Sequence, residues 1–380
     1  MYINFWYPMA TSEEITSYEP ARITVLGLKF VAFRDKEGEA RVLSDTCIHR
    51  GGALGKGWAR DGCAVCPYHG WEFDGSGKCV EIPTVAKENI PARAKVDSYP
   101  VQEKYGIVFA FLGDLPEEER PPLVEIAEWE QEGWRANRLF VFEVNAFYER
   151  SIENGLDPSH NQFVHPAQGS PEMNPDLKRK PLEMGELPWG SKFIVEFANK
   201  KTGTEALNED ATTGVAEVFA GSGHIGPNQM ITWIQFSEDN KFHQYFIEQP
   251  IDESHTRIFF HNMRTFLMES ENDDRLRKVN LVVAKEDIAI LEELDPVRTP
   301  GSATKEVLVP SDNAIVAYRQ HLDEWEAKGW RIDMDTLRAN RGNIAYAIPC
   351  PARRTEKNWV LDPVPLLPAA APALKEAKSA

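Results

Sequence analysis

The chain has 380 residues, of which 42% are hydrophobic and 27% charged, so it is neither a fibrous nor a disordered chain and its length suits two domains. The formal net charge of -17, without any long run of lysine and arginine, argues against a nucleic-acid partner. No uncharged apolar run is long enough to span a membrane, and the amino terminus lacks a secretion-signal pattern. We therefore expect a cytoplasmic protein with no membrane partner.

The amino-terminal part, residues 20 to 112, predicts short strands separated by turns. Arg22 to Phe33 is rich in β-branched and aromatic residues, and Tyr105 to Leu112 predicts another strand. The charged, proline-rich stretch from Asp114 to Pro122 has no apolar periodicity, which is typical of an exposed linker. These features predict a small all-β domain over residues 1–118.

The second part, residues 119–362, mixes predicted helices with aromatic strands, which is an α+β pattern. The predicted helices lie around 146 to 165, 272 to 294 and 311 to 328, and the clearest strands are 191 to 197 and 242 to 248. Residues 363–380 are rich in proline and alanine, so we expect an extended or disordered tail.

Two short segments each combine a cysteine with a histidine: Cys47-Ile-His49 and Cys66-Pro-Tyr-His69. In a Rieske-type [2Fe-2S] cluster, two histidines replace two cysteines on one of the irons, so each segment offers both ligand types that such a cluster needs. We predict that Cys47 and Cys66 bind one iron and that His49 and His69 bind the other. The glycines around both segments suit loops that turn sharply beside a cluster.

Two other interpretations of these residues compete with the cluster. Cys63-Ala-Val-Cys66, together with Cys47 and a histidine, has the make-up of a zinc site, and alternatively all of these residues are inert core and turn positions. The flanking sequence Cys66-Pro-Tyr-His-Gly-Trp71 is more specific than a lone Cys-x-x-Cys pair and favours the cluster. Cys63 and Cys79 are then interpreted as small buried hydrophobic residues.

The segments Cys-x-His-Arg-Gly and Cys-Pro-Tyr-His-Gly-Trp resemble the signature of the Rieske non-haem iron oxygenases, specifically of their oxygenase component. The resemblance implies a small all-β Rieske domain followed by a helix-grip catalytic domain, in which an antiparallel sheet and helices enclose a mostly apolar pocket. Respiratory Rieske proteins carry an extra cysteine in each segment, where this chain has Gly52 and Tyr68. That difference points away from the respiratory class.

The resemblance also implies a second centre, a mononuclear Fe(II) held by two histidines and one carboxylate. His160 and His165 are the candidate imidazoles. On a regular helix their side chains would lie about 140° apart, so the helix must break or bulge between them. Pro158 and Pro166 bracket the segment and favour such a distortion. The alternative is two histidines at a capped helix end that bind no metal.

Asp287 is the predicted third ligand. In the helix predicted around 281 to 294 it falls at the centre of the apolar face, whereas the adjacent Glu286 falls on the polar side. A lone carboxylate in an apolar face is costly unless it is paired or bound to a metal. The alternative role is a salt bridge to a buried arginine or histidine, and Asp295 is the second choice of ligand.

By resemblance, Asn154, Asp157, His160 and His165 match the asparagine, aspartate and two histidines of the family motif. The family's head-to-tail homotrimer sets the Rieske domain of one subunit against the iron of the next, with Asp157 bridging the neighbour's His69 to His160. Asn154 would lie near the iron, as a weak or distant ligand at most. A helix cap is the alternative role for Asp157, and a polar helix-start residue that for Asn154.

The function implied by the resemblance is that of a terminal oxygenase. It would receive electrons from NAD(P)H through a separate reductase or ferredoxin, activate O2, and hydroxylate or oxidatively demethylate a hydrophobic small molecule, aromatic or polycyclic. The chain length favours the homotrimeric, monooxygenase-like type over ring dihydroxylases. The competing interpretation is an electron-transfer protein in which the Rieske domain is fused to a ligand-binding domain without catalytic iron.

Overall fold

The computed structural model describes residues 1–165, 172–173, 181–198 and 217–370. It contains a small all-β domain followed by a larger domain of one antiparallel sheet and several helices. The predicted α+β fold class is therefore confirmed.

The small domain is made of three antiparallel sheets within residues 5–112, all of which are described. Their strands are β1 (Phe5–Thr11), β2 (Ala21–Val25), β3 (Leu28–Arg34), β4 (Ala40–Ser44), β5 (Trp58–Arg60), β6 (Cys63–Val65), β7 (Glu72–Phe73), β8 (Cys79–Glu81), β9 (Ser98–Tyr99), β10 (Val101–Lys104) and β11 (Ile107–Leu112). The strand orders are β1-β11-β10, β2-β3-β4-β9 and β5-β6-β7-β8. The loops after β4 and β6 carry the predicted cluster ligands.

The stretch from Arg22 to Phe33 forms a hairpin rather than one continuous strand. Val25 pairs with Leu28 across a turn in which Leu26 and Gly27 have φ values of 56° and 76°. Two consecutive residues with positive φ suit the twist of a two-residue hairpin turn. The backbone N–H of Leu26 donates to the Pro250 carbonyl at 2.7 Å, so a contact with the second domain stabilises a conformation that the leucine does not itself favour.

The second domain is built on an antiparallel sheet that has nine strands within the described residues, in the order β12-β20-β19-β18-β17-β16-β14, with β13 paired to β20 and β15 to β16. The strands are β12 (Arg135–Ala136), β13 (Phe140–Val144), β14 (Glu172–Met173), β15 (Met184–Leu187), β16 (Gly190–Ala198), β17 (Glu217–Ile225), β18 (Gln229–Gln235), β19 (Lys241–Pro250) and β20 (Thr256–Arg264). The short parallel pair β21 (Tyr346–Ala347) and β22 (Asp362–Pro363) lies near the carboxyl end.

The helices are α1 (Tyr148–Gly155), α2 (Asn161–Val164), α3 (Asn272–Leu291), α4 (Asn313–Ala327) and α5 (Met334–Ala339). The helix predicted over 146 to 165 is therefore broken, as the spacing of its two histidines requires. Asp157 accepts the Ser159 backbone N–H at 2.7 Å in the break, where Pro158 has no N–H to donate. Pro166 lies outside the described residues.

The predicted linker is more closely packed than its composition indicates. Leu115 is buried, and the Trp6 indole N–H donates to the Pro121 carbonyl at 3.0 Å, so the exposed part is limited to the acidic residues 117–119 and a few neighbours. The predicted tail is also packed at its start, because β22 pairs with β21 and Val364 is buried. Residues 371–380 of that tail lie outside the described residues.

Strand β11 joins the cores of the two domains. Its six residues, Ile-Val-Phe-Ala-Phe-Leu, are all buried because alternate side chains enter two different hydrophobic cores. Ile107, Phe109 and Phe111 pack with residues of the large sheet, including Ile231 and Phe259. The small domain therefore covers one face of that sheet, and helices α1, α3 and α4 lie on the other.

Candidate iron centres

The two predicted cluster segments fold into matching loops. In the first, the Cys47 N–H donates to the Gly52 carbonyl at 2.8 Å and the Gly51 N–H donates to the Cys47 carbonyl at 2.9 Å. In the second, the Gly70 N–H donates to the Cys66 carbonyl at 3.0 Å. Gly51 and Gly70 have φ values of 71° and 69°, a left-handed conformation that favours glycine. Each loop thereby curls back on its cysteine.

The side chains of the four predicted cluster ligands converge at the tips of these loops. Cys47 and Cys66 are buried, whereas His49 and His69 are exposed with ring centroids 4.5 Å apart. The Trp71 indole stacks on the His49 ring at a centroid distance of 4.5 Å and an interplanar angle of 5°. This arrangement fits a cluster with a buried sulfur-ligated iron and an exposed histidine-ligated iron. Trp71, the last residue of the flanking motif, supports His49, a role that was not predicted.

Gly52 leaves space beside the predicted cluster. A Cβ atom at this position would lie 2.8 Å from the Cys66 Sγ atom, so any larger residue would displace that ligand, and 3.4 Å from the Tyr68 Cβ atom. The Cβ–Cβ distance between positions 52 and 68 is close to the Cβ–Cβ distance across a disulfide. Two cysteines at these positions would therefore be nearly close enough to form a bond. Glycine and tyrosine leave no such bond here.

The chemistry of the cysteines distinguishes a cluster from a zinc site. Burial, with a further contribution from Cys66, raises the pKa of the Cys47 thiol to about 12, so metal binding has to displace its proton. Cys63 is only partly buried, and its Sγ atom lies 3.8 Å from the Asp61 carbonyl. No three ligand atoms of Cys47, Cys63, Cys66 and the described histidines are close enough to share one ion, which disfavours the zinc interpretation.

His160, His165 and Asp287 form the only group of three potential metal ligands that the described residues bring within 4.8 Å of one another. The two Nε2 atoms are 3.1 Å apart, and the Asp287 Oδ1 atom lies 3.6 Å from the His160 Nε2 and 3.3 Å from the His165 Nε2. Two imidazoles and one carboxylate are the donor set of mononuclear non-haem iron. Asp295, the second choice of carboxylate, is exposed and is not part of this group.

The short helix α2 positions both imidazoles. His160 immediately precedes it and His165 immediately follows it, so the helix break orients the two side chains towards the same point. The His160 Nδ1 atom lies 2.5 Å from the Asp157 carbonyl oxygen, and the His165 Nδ1 atom lies 3.0 Å from the Glu286 Oε2 atom. An acceptor at each Nδ1 favours the tautomer in which Nδ1 carries the proton and Nε2 presents its lone pair to a metal.

Glu286 lies in the site, contrary to the prediction for helix α3. It falls on the polar side of a helical wheel, but its carboxylate is largely buried against His165. The helix contributes two consecutive carboxylates to the same site, since Asp287 faces the Nε2 atoms while Glu286 faces a Nδ1 atom. The acidic pair Glu286-Asp287 was visible in the sequence, but a role was predicted for Asp287 alone.

Asn154 and Asp157 flank the site from the α1 side. The Asn154 amide Nδ2 donates to the Asp287 Oδ1 atom at 3.0 Å, so this residue holds the carboxylate. Asp157 contacts His160 through its backbone carbonyl, because its side chain accepts the Ser159 N–H instead. Within one chain, the Asp157 carboxylate therefore acts as a turn-forming group.

The electrostatics of the site favour bound positive charge. Burial lowers the pKa of His165, but Asp287 and Glu286 together outweigh that effect and raise it above the ordinary value. The pKa of His160 is lowered by burial, which exceeds the opposing effect of Asp287. One imidazole that stays neutral beside carboxylates that attract a cation is a suitable environment for a divalent metal ion.

Two family models match the chain, the Rieske [2Fe-2S] domain over residues 5–100 and the vanillate O-demethylase oxygenase C-terminal domain over residues 144–328. The chain belongs to the Rieske non-haem iron oxygenases. All of the predicted cluster and iron ligands lie within the matched regions. The family match agrees with the resemblance that the cysteine and histidine motifs carry.

Among the relatives of this Rieske oxygenase, chlorophyllide a oxygenase from Chlamydomonas reinhardtii is 26% identical over 83% of the chain, and the vanillate O-demethylase oxygenase subunit from a Pseudomonas species is 32% identical over 43% of it. The aligned parts span 47% and 44% of these two relatives' own lengths. The crystal structure of dicamba monooxygenase bound to dicamba aligns with a TM-score of 0.71 and 23% identity, covering 85% of this chain and 96% of that one. This likeness extends the shared fold through both domains.

Within the described residues, no helix combines the length and the apolar character needed to cross a bilayer. The cytoplasmic location stays a prediction.

Proposed function

We propose that this chain is the terminal oxygenase component of a Rieske system. Cys47 and Cys66 with His49 and His69 would hold a [2Fe-2S] cluster, and His160, His165 and Asp287 would hold a mononuclear Fe(II). The observation that carries the proposal is the convergence of those last three side chains within 4.8 Å, in a chain that also has the two cluster loops. An electron-transfer protein with a metal-free second domain would not need this group.

When bound, the two iron centres supply electrons and O2 activation, respectively. The protein's own contribution is to orient the donors. The Asp157 carbonyl and the Glu286 carboxylate hold the Nδ1 protons of the two imidazoles, so both Nε2 lone pairs point to one place. Asn154 donates to the Asp287 Oδ1 atom, which restrains the carboxylate beside both Nε2 atoms.

The proposed substrate is a hydrophobic small molecule, aromatic or polycyclic, and the proposed reaction is hydroxylation or oxidative demethylation. The sheet face beneath the helices carries Met230, Phe246 and Phe260 in one cross-strand row close to α1, which supports an apolar surface near the iron ligands. The names of the demethylase and monooxygenase relatives support the same reaction type.

Exposed aromatic side chains beside both centres support a head-to-tail homotrimer. Tyr68, beside His69 at the tip of the cluster loops, is 57% exposed, and Phe163, between the two iron-ligand histidines, is 76% exposed. Exposed aromatic residues at both places are typical of surfaces that meet a partner. We propose that the cluster loops of one subunit pack on α2 of the next, where Asp157 bridges His69 of a neighbouring subunit to His160.

The electrons would originate from NAD(P)H and reach the cluster through a separate reductase or ferredoxin, in the cytoplasm. The exposed imidazoles at the loop tips support electron entry from the surface. The proposed activity is tested with iron-loaded protein that is reduced without air and then exposed to isotopically labelled O2 in the presence of methoxylated aromatic, polycyclic and steroid-like compounds. We expect a product that contains labelled oxygen or has lost a methyl group.

The matched variants are His160→Ala, which removes a proposed iron ligand, and His255→Ala, which removes an exposed imidazole whose described hydrogen bonds are to Asp252 and Ser254. His160→Ala is expected to abolish product formation and keep the visible spectrum of the cluster. His255→Ala is expected to keep both the product formation and the spectrum. Product formation by His160→Ala at the parent rate would contradict the proposal.

A further inference from the structure

A row of four uncharged polar side chains crosses the face of the large sheet that lies against the helices. In successive strands Ser222 pairs with Thr232, Thr232 with Gln244, and Gln244 with Asn262. The Asn280 amide of α3 donates to the Asn262 Oδ1 atom at 3.1 Å, so these side chains point towards that helix. We call Ser222, Thr232, Gln244 and Asn262 the polar row.

One member of the polar row has an unused donor. Asn262 is only 1% exposed, and its Nδ2 atom has no hydrogen-bond partner among the described residues although its Oδ1 atom is paired. A buried amide group without a partner is unfavourable and is rare in folded proteins. A bound molecule with an acceptor oxygen would satisfy it.

The row also borders accessible space. Thr232 and Gln244 are only half-buried although they lie on the covered face of the sheet, so the described side chains do not fill the region between them and the helices. The Ser222 and Thr232 hydroxyls are 3.1 Å apart and can each accept or donate a further bond.

The polar row lies within one small molecule's length of the proposed iron ligands. Asn280 and Asp287 are on the same face of α3, two turns or about 10 Å apart. On the sheet, Asn262 is two residues along β20 from Phe260 of the apolar row, or about 7 Å. Met230 of that apolar row packs against Gly155, next to Asn154, so the apolar row separates the iron ligands from the polar row.

The buried cation that follows the row on β20 is already paired. Arg264, two residues beyond Asn262, is fully buried and bound to Asp273 at 2.5 Å and to Asn137. Its guanidinium therefore does not offer an unpaired charge to an anion. Within the described part of the chain, the amides and hydroxyls of the row suit a neutral hydrogen-bonding group better than a carboxylate.

We propose that the polar row recognises a neutral acceptor group, such as a carbonyl or carboxamide, at the end of the substrate opposite the oxidised carbon. The inference rests on the proposed oxygenase function and narrows its substrate class to ring compounds with an apolar reactive end and a neutral polar end. The apolar row of Met230, Phe246 and Phe260 lies between these two ends.

The test measures binding by equilibrium dialysis on iron-loaded, reduced protein without air. The probes are para-methoxybenzamide, para-methoxytoluene, which has the same outline without the amide, and para-methoxybenzoate, which is an anion. The parent is expected to bind the amide at least about tenfold more tightly than either of the others, because only the amide pairs the row without burying a charge.

Gln244→Leu is expected to reduce amide affinity about tenfold and leave methoxytoluene affinity within about twofold. Asn262→Leu should act in the same direction. Because Asn262 is the more buried residue, its substitution is the one that could unfold the protein, and Gln244→Leu then still provides the test. The control is Gln235→Leu, which removes an exposed amide from β18 and should change neither affinity.

Equal affinity of the parent for the amide and methoxytoluene, no amide binding, or tighter binding of the benzoate would each overturn the inference. Iron content is measured on the same samples. A chain that holds its mononuclear iron but shows no amide preference refutes only the role of the polar row, whereas a chain that lacks that iron refutes the proposed function.

Discussion

Single residues explain how the proposed iron site keeps its shape. His160 and His165 come from the two ends of one helical turn and have different acceptors at Nδ1, a backbone carbonyl and a carboxylate. The backbone acceptor cannot be removed by substitution, but the carboxylate of Glu286 can. The contribution of ring orientation to iron binding is therefore measurable at His165.

Glu286→Ala is expected to weaken Fe(II) binding by about tenfold to a hundredfold, because the His165 ring loses the acceptor that fixes its tautomer. Glu286→Gln, which keeps an acceptor oxygen, should have a smaller effect. Anaerobic titration of iron-free protein with Fe(II) measures both affinities. Glu293→Gln changes an exposed carboxylate just beyond the same helix and serves as the control; an unchanged affinity in Glu286→Ala would show that the contact is not a support for the ligand.

Gly52→Ala is expected to lower the amount of cluster bound per chain, because the new Cβ atom would lie 2.8 Å from the Cys66 sulfur. The measurement is iron and sulfide per chain together with the visible absorbance of the cluster. Gly301→Ala is the matched control, since no atom lies within 4 Å of the Cβ position there. A full complement of cluster in Gly52→Ala would mean that the ligand loop adapts to the extra methyl group.

Residue chemistry was predictable where a motif is local. The two cysteines and four histidines lie in short segments whose spacing indicates metal binding. Glu286 was not predictable, because a helical wheel assumes that the partner packs directly over the apolar face, whereas His165 approaches α3 from the side. The polar row could not be found either, since it joins four strands through pairing registers that a single sequence does not specify.

At the scale of elements, the break between α1 and α2 was predictable and the Leu26 hairpin was not. Two histidines five residues apart cannot share an ion on a regular helix, and Pro158 supplies a cause for the break. Leu26 adopts a positive φ only because the second domain accepts its N–H, a tertiary contact with no local signal.

The interface of β19 with α1 contains a buried carboxyl group with a testable effect on stability. Burial raises the pKa of Glu248 to about 8, with an opposing hydrogen bond from Ser151, so the group is protonated in the folded protein at neutral pH. The unfolded chain releases this proton near pH 4.5. The contribution of the protonated carboxyl group to the free energy of unfolding is thus complete below that pH. This contribution decreases by about 1.4 kcal/mol for each pH unit as the pH rises to about 8.

Glu248→Gln replaces the carboxyl group with a neutral group of similar shape and is expected to remove that part of the pH dependence. Melting temperatures of parent and variant should be similar near pH 5, and the variant should melt higher near pH 8.5. Circular dichroism melts across this range provide the comparison. Curves that stay parallel across the whole range would show that Glu248 is ionised in the folded state.

At the scale of the whole molecule, the small domain and helices α1, α3 and α4 lie on opposite faces of one large sheet. The cluster loops project from the small domain with exposed tips, and α2 presents the exposed Phe163 between the iron ligands. The fold class followed from the sequence through its strand and helix patterns and its family motif. The packing of the linker ends could not be predicted, because the burial of Leu115 depends on tertiary contacts that the charged composition of the linker does not indicate.

Asp157→Asn tests the proposed contact between subunits. The variant is expected to keep both metal centres but to slow reoxidation of the reduced cluster at least about tenfold in a single turnover, because the carboxylate between two imidazoles is lost. Stopped-flow absorbance of the cluster measures the rate. Asp295→Asn, at an exposed position outside the site, should leave it unchanged. Reoxidation of Asp157→Asn at the parent rate would exclude the bridge.

One chain is proposed to hold two distinct iron centres, and metal analysis of the reconstituted protein measures both at once. The parent should contain three irons per chain, and His160→Ala should contain two with an unchanged visible spectrum of the cluster. Two irons in the parent, equal to the content of His160→Ala, would exclude the second centre and identify the chain as an electron-transfer protein.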